Sequence, residues 1–245
     1  MTIGYEQTYQ LRTGDFDRYA RLLPSSILDV FQDVAGVNAE QVPGMTWKEL
    51  RDAGLFWVVT RIKYEVIETP ALHEQVIART WPLAPTRLGF QREYTMRKLD
   101  GSPLVKCSSD WILMDYETRS FASARDFYNG PQDFSEEKVF DKKLRKIKTF
   151  TPEDEGIKDS VSFVDLDING HVNNSKYPNF VMNALNLAEN EPIKTFQIDY
   201  RHELRFGDTV RIHSKRENNT IVSVGIATQG NMAGECMFAT QIELA

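Results

Sequence analysis

Cysteine is nearly absent from this chain. Its two cysteines, Cys107 and Cys236, stand far apart and form no CxxC pair. That excludes a disulfide-held scaffold and a cysteine zinc site, and it suits a reducing compartment. Long apolar runs are missing too, so no segment has the length a bilayer crossing needs. The opening MTIGYEQTYQLRTGDFDRYA has neither a basic start followed by an apolar block nor an Arg/Ser-rich amphipathic character. The expectation is a protein that stays in the cytoplasm. Basic charge is also short: 29 Lys and Arg against 35 Asp and Glu leave a net charge of −6. This argues against nucleic acid or an anionic membrane as partner. Histidine is limited to His73, His171, His202 and His213. No cofactor and no metal is expected.

What the chain does contain is one pattern written twice. A short extended piece, Tyr5 to Thr13, precedes a helix predicted over Pro24 to Glu40, where Ile27, Phe31, Val34 and Ala35 recur at helical spacing and Pro24 suits the first turn. A short WKELRDAG helix follows. Then come LFWVVTRIKYEVIE, QVIARTW, RLGFQREYTMRKL and LVKCSSDWILMDY, rich in β-branched and aromatic residues and separated by turn-forming TPALHE, PLAPT and DGSP. These predict long antiparallel strands. The second half runs in the same order. VSFVDLDI reads as extended, a helix starts near Asn174 with Tyr177, Val181, Ala184, Leu185 and Ala188 on one face, and TFQIDYRHE, DTVRIHSKR, TIVSVGIATQ and ECMFATQIEL read as strands. Such repetition predicts two similar α+β units. Each would be an antiparallel sheet wrapped around one long helix, the layout of a tandem, or double, hot-dog. The expected boundaries are 1–132 and 156–245. Between them, 133–155 is a Lys- and Glu-rich connection carrying Lys138, Lys142, Lys143, Arg145, Lys146 and Lys148, whose simplest reading is a solvated charge run and whose alternative is a basic docking patch for an acidic partner.

His73, in a turn-like context, and His213, within a strand, read as surface or satisfied polar residues. His171 stands apart, in Asp165-Leu166-Asp167-Ile168-Asn169-Gly170-His171-Val172-Asn173-Asn174 just ahead of a helix. Asn173 or Asn174 can serve simply as helix caps. If the segment is extended, Asp167, Asn169 and His171 share one face, where an acid, an amide and an imidazole could hold a water or a thioester carbonyl.

DLDINGHVNNSKY followed by FQIDYRHELRFGD resembles the acyl-acyl carrier protein (acyl-ACP) thioesterases of plants and bacteria, in which Asp-x-Asn-x-His-Val-Asn-Asn precedes Tyr-Arg-x-Glu. The matching positions are Asp167, Asn169, His171, Val172, Asn173 and Asn174, then Tyr200, Arg201 and Glu203. In the first half, GLFWVVTRIKYEV, ARTWPL and SSDWILMDYETRS resemble family segments as well. The resemblance implies a double hot-dog with Asp167, Asn169, His171 and Glu203 catalytic in the second unit and the acyl-chain pocket mainly in the first. It also implies an acyl carrier protein as partner; either a monomer or a homodimer fits it. Trp47, Phe56, Trp57, Trp81, Phe90 and Trp111 are candidates to line the pocket, although ordinary core packing is the stronger reading for any one of them. Plant members often carry a cysteine directly after the glutamate, and this chain has Leu204 there. Direct attack by water is therefore expected, with Glu203 or Asp167 as base. Asn169, His171 and backbone N–H groups at the next helix start would serve as donors to the developing charge. An acyl-CoA thioesterase and a non-catalytic acyl-thioester-binding protein are the competing readings.

Overall fold

The chain begins with a strand and a buried helix because its first apolar residues switch from a period of two to a helical one. In the computed structural model, which describes residues 3–245, Tyr5–Gln10 (β1) leads to the helix Pro24–Gln41 (α1) and then to a short helix, Trp47–Asp52 (α2). The first helix has Pro24 in its opening turn and buries Ile27, Phe31, Val34 and Ala35. Thr46 and Glu49 cap α2 reciprocally. Strands Leu55–Val66 (β2), Gln75–Pro82 (β3), Gly89–Lys98 (β4) and Pro103–Asp115 (β5) follow. The small strand Phe121–Ala122 (β6) and the one-turn helix Ala124–Phe127 (α3) close the first half. The second half comprises Ile157–Ser160 (β7), Tyr177–Leu185 (α4), Ile193–Tyr200 (β8), Thr209–Glu217 (β9), Thr220–Ala227 (β10) and Cys236–Leu244 (β11).

All these strands lie in one antiparallel sheet, ordered β1-β3-β4-β5-β2-β8-β11-β10-β9-β7, with β6 paired on β5. The second half reproduces the first in reverse order, so the pair β2–β8 is a pseudo-twofold seam. There Arg61 opposes Asp199 and Tyr64 opposes Phe196, and the last two rings stack with centroids 5.5 Å apart. Thus the fold is the expected α+β tandem hot-dog, with its two sheets fused edge to edge. One apolar core holds buried residues of both helices and both halves of the sheet.

Two local expectations are corrected. The extended piece before the second helix is Ile157–Ser160, whereas Phe163–Asp165 forms a 3-10 turn in which Asp165 Oδ2 accepts the Ser162 N–H at 2.7 Å. The helix expected from Asn174 begins as a separate 3-10 turn, Asn174–Lys176. It then runs for nine residues, with Pro178 in its first turn, as far as the left-handed Asn186 (φ 45°), so Ala188 lies outside it. The Lys-rich connection does keep Lys138, Lys142, Lys143, Arg145, Lys146 and Lys148 exposed, as a solvated charge run should, while its backbone is tied down. It crosses the sheet face opposite the helices as an extended strap. Glu93 accepts the N–H of Val139 at 3.0 Å, Asp199 accepts that of Ile147 at 2.7 Å, and Gln197 donates to the carbonyl of Arg145. Ile147 is buried there against Val224 and Ala239.

Candidate active site

The segment around His171 is a tight hairpin rather than an extended strand. Leu166 and Val172 bridge its base, the Asp167 N–H donates to the His171 carbonyl at 2.7 Å, and Gly170 takes φ +78° to complete the reversal. Alternation therefore does not align Asp167, Asn169 and His171. A side-chain turn does: Asp167 Oδ1 accepts the N–H groups of Asn169 (2.8 Å) and His171 (3.2 Å), while Oδ2 accepts Asn169 Nδ2 (3.2 Å). Short acidic side chains favour this arrangement because they reach their own backbone two residues on.

Beyond β8 the chain leaves the ladder and returns beside this hairpin. His171 bridges Arg205, and the Val172 N–H donates to the Leu204 carbonyl at 2.8 Å. Since neighbours on extended chain point to opposite sides, wholly buried Leu204 leaves Glu203 facing out. Glu203 Oε2 lies 3.3 Å from His171 Nε2, with their side chains 40 % and 24 % exposed. Arg119, from the turn after β5, reaches Glu203 Oε1 at 3.6 Å, and Arg205 stands 3.9 Å from Oε2. Tyr200 of the Tyr-Arg-x-Glu segment supports the floor, its hydroxyl donating to the Asn174 carbonyl at 2.8 Å and its ring meeting Tyr177 edge-on. Burial raises the phenol of Tyr200 well above its ordinary range, so it stays neutral. Asn173 is a cap: its side chain accepts the Ser175 N–H. Backbone donors near the helix start are largely engaged, the N–H groups of Val172, Asn173 and Lys176 by carbonyls and that of Ser175 by Asn173 Oδ1.

The structure thus brings His171, Glu203, Asp167 and Asn169 together, and it adds Arg119, which motif reading does not reach. Of the aromatic candidates Phe56 is linked to the pair, through the Arg119 guanidinium carbon 5.2 Å over its ring centroid. Trp81 is wholly buried with Nε1 donating to the Glu137 carbonyl. Trp57 and Phe90 pack on each other in a small core. Trp111 donates to Ser109, and Trp47 lies exposed under Arg51. His213 is buried against Asp154. Burial raises the thiols of both Cys107 and Cys236, which leaves neither as a ready nucleophile.

The first half contains the same loop with other side chains. Leu166 and Val172 correspond to the bridged Phe16 and Leu22, and Asp17 there accepts the N–H groups of Tyr19 and Arg21. Tyr19 replaces Asn169 and Arg21 replaces His171, and left-handed Ala20 stands for Gly170. Arg21 is tied to Asp17 and to the carbonyls of Ala188 and Glu191, so this copy latches the halves together. Thr13, Gly14 and Arg18 there, which carry no large apolar side chain, match Phe163, Val164 and Ile168, which are strongly exposed beside the second-half site.

Residues 3–129 match the acyl-ACP thioesterase N-terminal domain and residues 151–243 the C-terminal domain of the same family. A chloroplastic oleoyl-acyl carrier protein thioesterase of Coriandrum sativum is 25 % identical over 94 % of this chain and 68 % of its own length. A chloroplastic dodecanoyl-[acyl-carrier-protein] hydrolase of Umbellularia californica is 30 % identical over 81 % and 56 %. Among solved structures, an acyl-ACP thioesterase from Bacteroides thetaiotaomicron has a TM-score of 0.84 at 21 % identity, covering 99 % of this chain and 98 % of that one. A 12:0-ACP thioesterase from Umbellularia californica also has a TM-score of 0.84, at 22 % identity, covering 100 % and 98 %. These structures share the fold, and the two domain matches, which together take in most of the chain, go further: it belongs to the acyl-ACP thioesterase family.

Proposed function

We propose that the Glu203–His171 pair, organised by Asp167 and assisted by Asn169, is where this chain hydrolyses the thioester of acyl-acyl carrier protein and releases a fatty acid. The observation that carries this reading is the 3.3 Å approach of His171 Nε2 to Glu203 Oε2 at the solvent-facing end of the family's second domain. Asp167 has both oxygens committed to the hairpin, which favours Glu203 as the base and gives Asp167 the task of holding Asn169 and His171 in place. With Leu204 buried where plant members often carry cysteine, water is the nucleophile. Glu203 takes a proton as the water oxygen bonds to the acyl carbon. Asn169 and His171 donate to the developing oxyanion. The C–S bond then breaks, and the proton passes through His171 to the departing thiolate.

The strap lysines Lys142, Lys143 and Lys146 line a groove of about 840 Å³ on the far face of the sheet, opposite the catalytic pair. The exposed Phe163, Val164, Ile168 and Phe206 flank the pair itself and support contact of the carrier there.

Hydrolysis of a panel of acyl-carrier substrates from short to long chains, each compared with the same acyl group on coenzyme A, tests the substrate class; a lower KM on the carrier is expected. Glu203→Gln keeps the shape but loses the basicity, and His171→Ala removes the imidazole. Each is expected to lower kcat by about 10²–10³ while circular dichroism stays unchanged. A fully active Glu203→Gln enzyme would return the base to Asp167.

A further inference from the structure

We infer that Arg119, supplied by the first half of the chain, is a positioning residue for the Glu203 carboxylate, so that the active site is completed only across the two halves. This rests on the assignment of Glu203 as base. Three groups face that carboxylate. His171 and Arg205 approach Oε2 from the second half, whereas Arg119 approaches Oε1 at 3.6 Å from the β5–β6 turn. The Arg119 separation is longer than a hydrogen bond, so Oε1 keeps a lone pair for water while the charge fixes the direction in which it points.

The arginine is itself held. Asp115 accepts the N–H groups of Glu117 and Thr118 and the Thr118 hydroxyl, its own carbonyl accepts the Arg119 N–H at 3.1 Å, and Arg119 takes φ +56°. A left-handed conformation at a non-glycine residue is uncommon, and here it carries the side chain out of the turn. The guanidinium then lies over two rings, 5.2 Å from the centroid of Phe56 and 5.6 Å from that of Tyr116. Cation–π attraction to the two rings confines the guanidinium while its N–H donors remain available to a carboxylate. Phe56 and Tyr116 also meet edge-on at 6.0 Å, and the Tyr116 N–H donates to the Gly54 carbonyl at 2.8 Å, so the platform is anchored at both strand ends. Arg205, by contrast, is 62 % exposed, and its side chain has no ring beneath it among the described residues. The better-held cation is therefore the one that crosses between halves. Because Arg119 is 44 % exposed, its removal disturbs little packing, and an exposed ion pair contributes little to stability.

The test is a double-mutant cycle on the full chain with a long-chain acyl-carrier substrate, reading kcat and KM separately. Arg119→Ala is expected to lower kcat by about 10- to 100-fold, the cost of a small misplacement of a reacting group. KM should stay within about twofold, and Arg119→Lys, which keeps charge but loses the planar fork, should recover only part of the rate. Added guanidinium ion should raise the rate of Arg119→Ala and leave the unmodified enzyme unchanged. In a Glu203→Gln background, Arg119→Ala should cost less than about twofold, because a residue acting through another adds nothing once that partner is gone. A full Arg119 effect in the Glu203→Gln background, or a loss confined to KM, overturns the inference and makes Arg119 a substrate-phosphate contact. A wild-type rate in Arg119→Ala overturns it outright. A fully active Glu203→Gln enzyme is a separate result, which removes the assignment of the base.

Discussion

Leu204 follows Glu203 directly and is wholly buried, its N–H donating to the Tyr177 hydroxyl at 3.1 Å. Placing a thiol there would put sulfur into the core, on the opposite side of the chain from the carboxylate. Leu204→Cys is accordingly expected to lower stability by about 1–3 kcal/mol through lost packing. It should not raise turnover, and the thiol should react with iodoacetamide only when the protein is unfolded; rapid labelling of the folded variant tied to loss of activity would refute this. Residues of the same rank were unequally legible in the sequence. Asp167, Asn169 and His171 stand out by their alternate spacing ahead of a helix, whereas Glu203 stands out only through resemblance to a family motif, since nothing in the spacing brings it to His171. Arg119 was hidden because its partner lies far along the chain and because arginine in a turn is ordinary. Phe56 was legible only as one aromatic among several.

At the scale of elements, strands and the first helix could be read because each buries a periodic apolar face, whereas the active hairpin could not. An Asx turn is set by a few side-chain hydrogen bonds, which periodicity does not register, and Asp167 looks the same in a strand as in a turn. The duplicate loop separates the structural part of this design from the chemical part. Burial works against the ionised Asp17, but the Arg21 N–H, the Arg21 guanidinium and the Tyr19 N–H outweigh it and hold its carboxyl below the ordinary value. A depressed acid contributes stability above its unfolded pKa and loses it as pH falls through the folded one. Asp17→Ala should therefore destabilise the protein at neutral pH by about 1.5–3 kcal/mol, the range for hydrogen bonds to a charged group. Its stability should also fall less steeply than wild type below about pH 3.8, while kcat is unchanged. Asp167→Ala, on the copy that carries the histidine, should lower kcat as well. Equal losses of turnover in the two variants, measured beside thermal melts from pH 2.5 to 7, would mean that both loops act only through stability.

For the whole molecule, the repeated strand–helix–strand order predicted two similar units but not the way they join. Which edges meet depends on pairs distant in sequence, and the echo of one half in the other is silent about that. The answer lies in the β2–β8 seam. Five residue pairs from Arg61↔Asp199 to Glu65↔Thr195 continue the ladder without a gap. Tyr64 stacks on Phe196 across the seam, while Arg61 bonds Asp199 at 2.7 Å and approaches Asp110 at 3.3 Å. The strap then ties the second half to the first from behind, since the Asp199 carboxylate that holds Arg61 also accepts the N–H of Ile147. Separating the halves would expose β2 and β8 as bare edges with aromatic side chains on them, a template for aggregation. Both halves are therefore expected to unfold together, in one calorimetric transition whose van't Hoff and calorimetric enthalpies agree. Asp199→Ala, which leaves the largely buried Arg61 guanidinium to Asp110 alone and strands a strap N–H, should lower that single transition by about 1–3 kcal/mol without splitting it. Two resolved transitions in wild type, or soluble and folded behaviour of residues 156–245 expressed alone, would show that the seam is a contact between independent domains.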